Sequence, residues 1–151
     1  MFHINLHIDR LSFGGSGIGR YQGKVCFVPF SCPGDELEVR ITSDKRSFCS
    51  AEIVDVITPS ADRITPVCPL AGRCGGCHWQ HVDYAQQCAE KRDIFADALW
   101  RGARVERAQI GELVPSSLQY GYRSRAQFKL HGRGEHLQIG FYRQGTHFVE
   151  D

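Results

Sequence analysis

The stretch Arg20–Ile41, "RYQGKVCFVPFSCPGDELEVRI", decides the architecture. Gln22-Gly23 interrupts a run rich in apolar residues in the manner of a tight hairpin, with Val25, Phe27 and Phe30 expected on the inner face. Pro33-Gly34 then turns the chain. Leu37, Val39 and Ile41 follow in alternation with Glu38 and Arg40, the pattern of a half-buried strand. Upstream, "INLHIDRLSF" places Ile4, Leu6 and Ile8 on one alternating face, and downstream "KRSFCSAEIVDVI" supplies a long closing strand. Five short strands within about 57 residues predict a closed or nearly closed barrel, because a flat sheet of them would leave long edges.

The glycines Gly14, Gly15, Gly17 and Gly19 loosely resemble a phosphate-cradling loop. Such loops need a helix behind them, whereas a strand follows here, so these glycines read as turn and bulge positions. Beyond the barrel, Pro59, Pro66 and Pro69 mark a linker. From Asp83 to Arg101 apolar residues recur at three- and four-residue steps, with Gly102 as the expected stop. A second β-rich stretch begins near Tyr120, where "YRSRAQFKLHG" and "HLQIGFYRQGTHFVE" flank the hairpin-like "GRGE". The expected chain is therefore mainly β with one helix. It has a closed or nearly closed barrel over 1–58, a cysteine-bearing linker over 59–82, a helical segment over 83–115 and the start of an antiparallel β unit over 116–151.

The chain has 151 residues, 42% hydrophobic and 23% charged, which is globular rather than disordered composition. "MFHINLHIDRL" is not a basic and then apolar leader, and no apolar run approaches the ~20 residues of a membrane span. The expectation is a soluble, cytoplasmic protein with no membrane partner. Net charge is only +1, but its distribution is uneven. Tyr120–Val149 holds five Lys or Arg residues against Glu135 alone, and fourteen of the eighteen basic residues are Arg, the cation that best matches phosphate and stacks on bases.

Seven cysteines fall into two kinds. Cys26, Cys32 and Cys49 sit in apolar strand patterns and read as small core residues. Cys68, Cys74 and Cys77, spaced C-x5-C-x2-C in "CPLAGRCGGCHWQH", occupy a Gly/Pro-rich loop and read as metal ligands. The glycines of "CGGC" let backbone N–H groups approach the sulfurs. Spacing alone leaves iron–sulfur and zinc both open, with His78, His81 or Cys88 as conceivable fourth donors.

These pieces together resemble, in order along the whole chain, the N-terminal third of bacterial RNA (uracil-C5)-methyltransferases of the branch with a TRAM domain and an iron–sulfur cluster. "RLSFGGSGIGRYQGKVCFVPFSCPGDELEVRI" resembles the TRAM opening, which implies an OB-like barrel over 1–58, and "TPSADRITPVCPLAGRCGGCHWQH" the cluster junction. "YRSRAQF" and "GFYRQGTHFVED" resemble the start of the central domain. The resemblance implies that Cys68, Cys74 and Cys77 bind a [4Fe-4S] cluster whose fourth ligand is a cysteine just past Asp151. It also implies RNA, ribosomal RNA in the 23S-type branch, as partner, and a monomeric full-length enzyme. S-adenosylmethionine and the catalytic cysteine belong to a further domain that the chain is expected to lack, so alone it is expected not to methylate RNA. Radical methylthiotransferases also combine TRAM domains with clusters, but their C-x3-C-x2-C motif precedes the TRAM domain.

Two groups of residues could touch RNA. Arg123, Arg125, Gln127 and Lys129 are expected on one face of one strand, extended by Arg143 and His147 on its partner. Lys45, Arg46 and Phe48 at a barrel hairpin offer an aromatic ring flanked by cations. Two other readings of the whole chain are a stand-alone OB-type RNA-binding protein with structural zinc and a small iron–sulfur electron carrier.

Overall fold

A computed structural model describes residues 3–151; Met1 and Phe2, the first residues of the unit expected over 1–58, lie outside the described residues. The N-terminal strands are β1 (His3–His7), β2 (Arg10–Leu11), β3 (Gly17–Tyr21), β4 (Lys24–Val28), β5 (Glu36–Asp44) and β6 (Phe48–Thr58). They form one sheet in the order β1-β5-β6-β4-β3-β2. All neighbours are antiparallel except β4 and β6, which run parallel from Val25–Phe27 against Phe48–Ser50. The two outermost strands, β1 and β2, are consecutive in the chain, so the sheet curls back on itself as the expected barrel requires. Register shifts along β5 and β6 add the local twist that such curling needs. The two ends meet at Gly19 of β3, where a Cβ would stand 2.4 Å from the His7 carbonyl oxygen.

Local chemistry explains the turns. Gln22 and Gly23 both adopt positive φ (50° and 78°) between paired Tyr21 and Lys24, the geometry of a two-residue hairpin matched to strand twist. At Pro33-Gly34 the Asp35 carboxylate accepts the Cys32 N–H (2.6 Å), while the Asp35 N–H donates to the Cys32 carbonyl (3.0 Å). The barrel core holds Leu6, Ile8, Cys26, Val28, Leu37 and Val39, all buried, and Cys26 and Cys49 lie side by side in it. Burial and the neighbouring Cys49 push the Cys26 thiol up to about 12, which keeps it protonated and unreactive. One expectation is reversed: Cys26 and Val28, not Val25 and Phe27, face the core, and Phe30 is only half-buried. Lys24–Val28 is apolar on both faces after its first residue, so alternation could not choose the parity; pairing of Gly19 with Cys26 and Gly17 with Val28 does.

The linker is bound back onto the barrel. Arg63 donates to both Asp35 carboxylate oxygens and to the Phe30 carbonyl (3.0 Å). The helix α1 (Tyr84–Ala103) starts at Asp83, whose carboxylate accepts the Ala85 N–H (2.9 Å). It docks on the edge strand β2, where Glu90 accepts the otherwise unpaired Leu11 N–H (2.7 Å) and Arg10 pairs with Asp97 (2.7 Å). Leu11, Cys32 and Val82, with Trp79 and Ile94, pack between helix, linker and barrel. Gly102 does not stop the helix: it lies inside, and Arg104 takes the left-handed capping conformation with its guanidinium over the Trp100 ring.

The C-terminal sheet is smaller than expected. Strands β7 (Lys129–His131), β8 (Gln138–Tyr142) and β9 (Val149–Glu150) form an antiparallel sheet in that order. Residues 120–128, expected as strand, are irregular and exposed: β7 begins only at Lys129, opposite Gly140, and β8 ends two residues later at Tyr142, so the register leaves residues 120–126 no strand to pair with. Among the described residues no helix is long and apolar enough to cross a membrane.

Candidate metal loop and nucleic-acid interface

The cysteine loop is tied down at two places. At its far end the Cys68 N–H donates to Gln80 Oε1 (3.2 Å). At its middle Cys74 forms a β-bridge with Arg143, flanked by Gly75 N–H to the Tyr142 carbonyl (2.8 Å) and Gln144 N–H to the Arg73 carbonyl (3.0 Å). This bridge depends on Gly75, where a Cβ would meet the Tyr142 carbonyl oxygen at 2.9 Å; one on Gly76 would press on the Phe141 ring at 3.3 Å. Gly76 N–H also points at Cys74 Sγ (3.4 Å), the contact that stabilises thiolate charge.

Cys68 and Cys74 are half-buried and Cys77 is exposed. Three thiols in one short loop suit a thiophilic metal or cluster in their chemistry. Among the described residues, however, no three His, Cys, Asp or Glu side chains converge as a metal site. His81, considered above as a ligand, belongs to the packing instead. It is fully buried, its ring 4.1 Å from that of Phe30 and its Nε2 3.1 Å from the Ser31 carbonyl. Burial drives its pKa down to about 4 despite that hydrogen bond, so the ring is neutral. His78 is exposed beside Cys77, and Cys88 is half-buried on the first half of α1.

The expected RNA row is divided. Arg125 and Gln127 are exposed on irregular chain, and Arg123 stacks over the Tyr122 ring (5.4 Å) facing a groove beside α1. They therefore do not share the face of one strand with Lys129, as alternation had predicted. Lys129 instead lies over Tyr142 (5.8 Å), whose other neighbour is the His147 ring (5.4 Å). Arg143 and Arg73 both pair with the buried carboxylate of Glu150. Thus Lys129, Arg143 and His147 do gather, and they gather at the bridge to the cysteine loop. Lys45, Arg46 and Phe48 lie on the β5–β6 turn, where Phe48 is partly exposed with its ring edge-on to Phe27 (5.9 Å). Sequence reasoning passed over Tyr120 and Tyr122; the density of aromatics in "QYGYR" was the available signal.

Residues 3–54 match the TRAM domain. The whole chain is similar to several curated proteins. It is 38% identical to a protein of Thermosynechococcus vestitus named as an uncharacterised RNA methyltransferase, over 97% of this chain and 32% of that protein. It is 39% identical to one of Synechocystis with the same description, over 95% and 31%. A 23S rRNA (uracil(1939)-C(5))-methyltransferase RlmD of Shewanella amazonensis is 35% identical, over 97% and 33%. The chain spans about a third of the length of these relatives. The protein thus carries a TRAM domain and, along nearly its whole length, is a homologue of part of proteins named as RNA methyltransferases.

Proposed function

We propose that this chain is the RNA-binding and cysteine-cluster portion of an S-adenosylmethionine-dependent RNA uracil-C5 methyltransferase, with ribosomal RNA as substrate. The observation that carries this reading is the similarity over 97% of the chain to a protein named for 23S rRNA uracil-C5 methylation, in company with the TRAM domain. The exposed aromatic and cations of the β5–β6 turn and the Lys129–Arg143–His147 group supply surfaces for an RNA backbone. In the same reading Cys68, Cys74 and Cys77 are thiolate ligands of a [4Fe-4S] cluster. The glycine-dependent bridge and the Gly76 N–H aimed at Cys74 Sγ support that role. The cluster's part is to fix the loop between barrel, helix and C-terminal sheet rather than to carry electrons.

Two measurements test this. Anaerobically purified protein should show broad visible absorption and bound iron, lost in Cys68→Ser, Cys74→Ser and Cys77→Ser but retained in Cys88→Ser. Stoichiometric zinc without iron would replace the cluster by a zinc site. Binding to single-stranded rRNA segments should weaken with salt, with log K falling by about 0.7 per phosphate contacted for each unit of log salt. Salt-independent or absent binding would defeat the reading.

A further inference from the structure

A hollow of about 730 Å³ lies where four segments distant in the sequence meet: the Ser12–Gly15 turn, the Gly76–Gln80 end of the cysteine loop, one face of α1, and residues 119–123. Its volume is that of a ligand cleft, about 300–1,000 Å³. Its walls carry Phe13, Trp79, Tyr84, Phe95, Tyr120 and Tyr122. Most of these rings are not core residues: Phe13 is 91% exposed, Tyr122 60% and Phe95 55%. Trp79 is held rigidly, its Nε1–H donating to the Gly15 carbonyl (3.1 Å). Gly15 is obligatory there, since its φ is +98° and a Cβ would lie 2.7 Å from His78 Cβ.

Two cations sit against these rings. Lys91 Nζ is 5.7 Å from the centre of the Trp79 ring, and the Arg123 guanidinium 5.4 Å from that of Tyr122. No Asp or Glu is among the residues lining the hollow. Flat π-faces beside cations, with carboxylates absent, complement a planar base attached to a phosphate. An apolar protein segment would need neither the cations nor the exclusion of acids.

We infer that this groove takes one unpaired base of single-stranded RNA, stacked on the Tyr120–Tyr122 wall, with its phosphate toward Lys91 and Arg123. The inference rests on the RNA reading above and assigns the base a place apart from the barrel turn and the C-terminal sheet. A duplex does not fit, because its bases cannot present a free face to the tyrosines.

The test starts from Trp100→Phe, which leaves Trp79 as the sole tryptophan; Trp100 is not among the residues lining the groove. A short oligouridylate should change Trp79 fluorescence, and a duplex of equal length should not. Tyr122→Ala should weaken oligouridylate binding at least about fivefold and remove the fluorescence change. Circular dichroism and the urea midpoint should stay unchanged, as this side chain is exposed. Lys45→Ala/Arg46→Ala should weaken binding while leaving the fluorescence change at saturation. Full affinity in Tyr122→Ala, or saturable oligouridylate binding by the Trp100→Phe protein without any Trp79 response, would overturn the groove while leaving RNA binding by the chain intact. No RNA binding at all would overturn both, and equal duplex affinity would overturn the unpaired base. Self-association abolished by Tyr122→Ala in sedimentation, with RNA affinity untouched, would assign the groove to a protein contact instead.

Discussion

Replacing Arg63 by Met should destabilise the N-terminal unit by about 3–5 kcal/mol at neutral pH, because it strands a buried charge. Asp35 has no exposed surface, and its carboxylate accepts N–H groups of Cys32 (2.6 Å) and Ser60 (2.9 Å) besides Arg63 Nη2 (2.6 Å) and Nε (3.0 Å). Burial alone would raise its pKa; the Arg63 guanidinium and the two backbone donors outweigh burial and hold it below the ordinary value. The pair therefore contributes stability above the unfolded-state pKa of about 3.9, lost as pH falls through the lower folded value. Without Arg63, burial, the largest influence on the carboxyl, is opposed only by the two backbone donors, so acid that neutralises Asp35 costs the variant less stability than it costs the parent. The gap between the two proteins should thus be widest near pH 7 and shrink on acidification. Urea unfolding followed by circular dichroism at pH 7 and pH 4 measures it, with thermal midpoints as a second readout at about 2–4 °C per kcal/mol for this size. A gap below about 1 kcal/mol at pH 7, or one that does not narrow with acid, would refute the claim that this ion pair locks the linker to the barrel.

Gly19→Ala should destabilise by about 1–3 kcal/mol or more, since its Cβ would press on the His7 carbonyl oxygen and the Leu6 side chain where β1 meets β3; Gly102→Ala, with open space around its Cβ position, should be neutral or stabilising in the same urea titration. His81, with its folded pKa near 4, should stay neutral in NMR titrations down to about pH 5. Because the unfolded state binds that proton near pH 6.5, His81 contributes stability that is complete above pH 6.5 and declines as pH falls toward 4. His81→Phe should abolish that part of the pH dependence.

The barrel was legible because its signals are local. A two-residue turn with glycine, a Pro-Gly turn and clean alternation at Leu37, Val39 and Ile41 each specify a strand or a reversal without knowledge of the rest. Where a segment is apolar on both sides, as at Val25–Val28, the inward face is decided by a partner strand and not by the pattern. The parallel pairing of β4 with β6 is invisible for the same reason: it joins strands separated by the whole of β5. The alternation of Arg123, Arg125, Gln127 and Lys129 was a real pattern without a consequence, since a strand also needs a neighbour to accept its hydrogen bonds. Cys68, Cys74 and Cys77 stood out by composition, whereas the aromatic groove did not. Its rings come from four separate stretches, each with only one or two aromatics, and tertiary structure alone makes them a surface.

The bridge between Cys74 and Arg143 spans almost half of the chain and has a consequence for timing. During synthesis the barrel strands emerge first and can pair at once, whereas the middle of the cysteine loop has no partner until Tyr142–Gln144 has left the ribosome. For that interval the three thiols are displayed on a chain whose first domain is already folded. The order of emergence thereby sets a window in which the loop is open to a metal of the kind proposed above, and the arrival of the β8–β9 hairpin closes it.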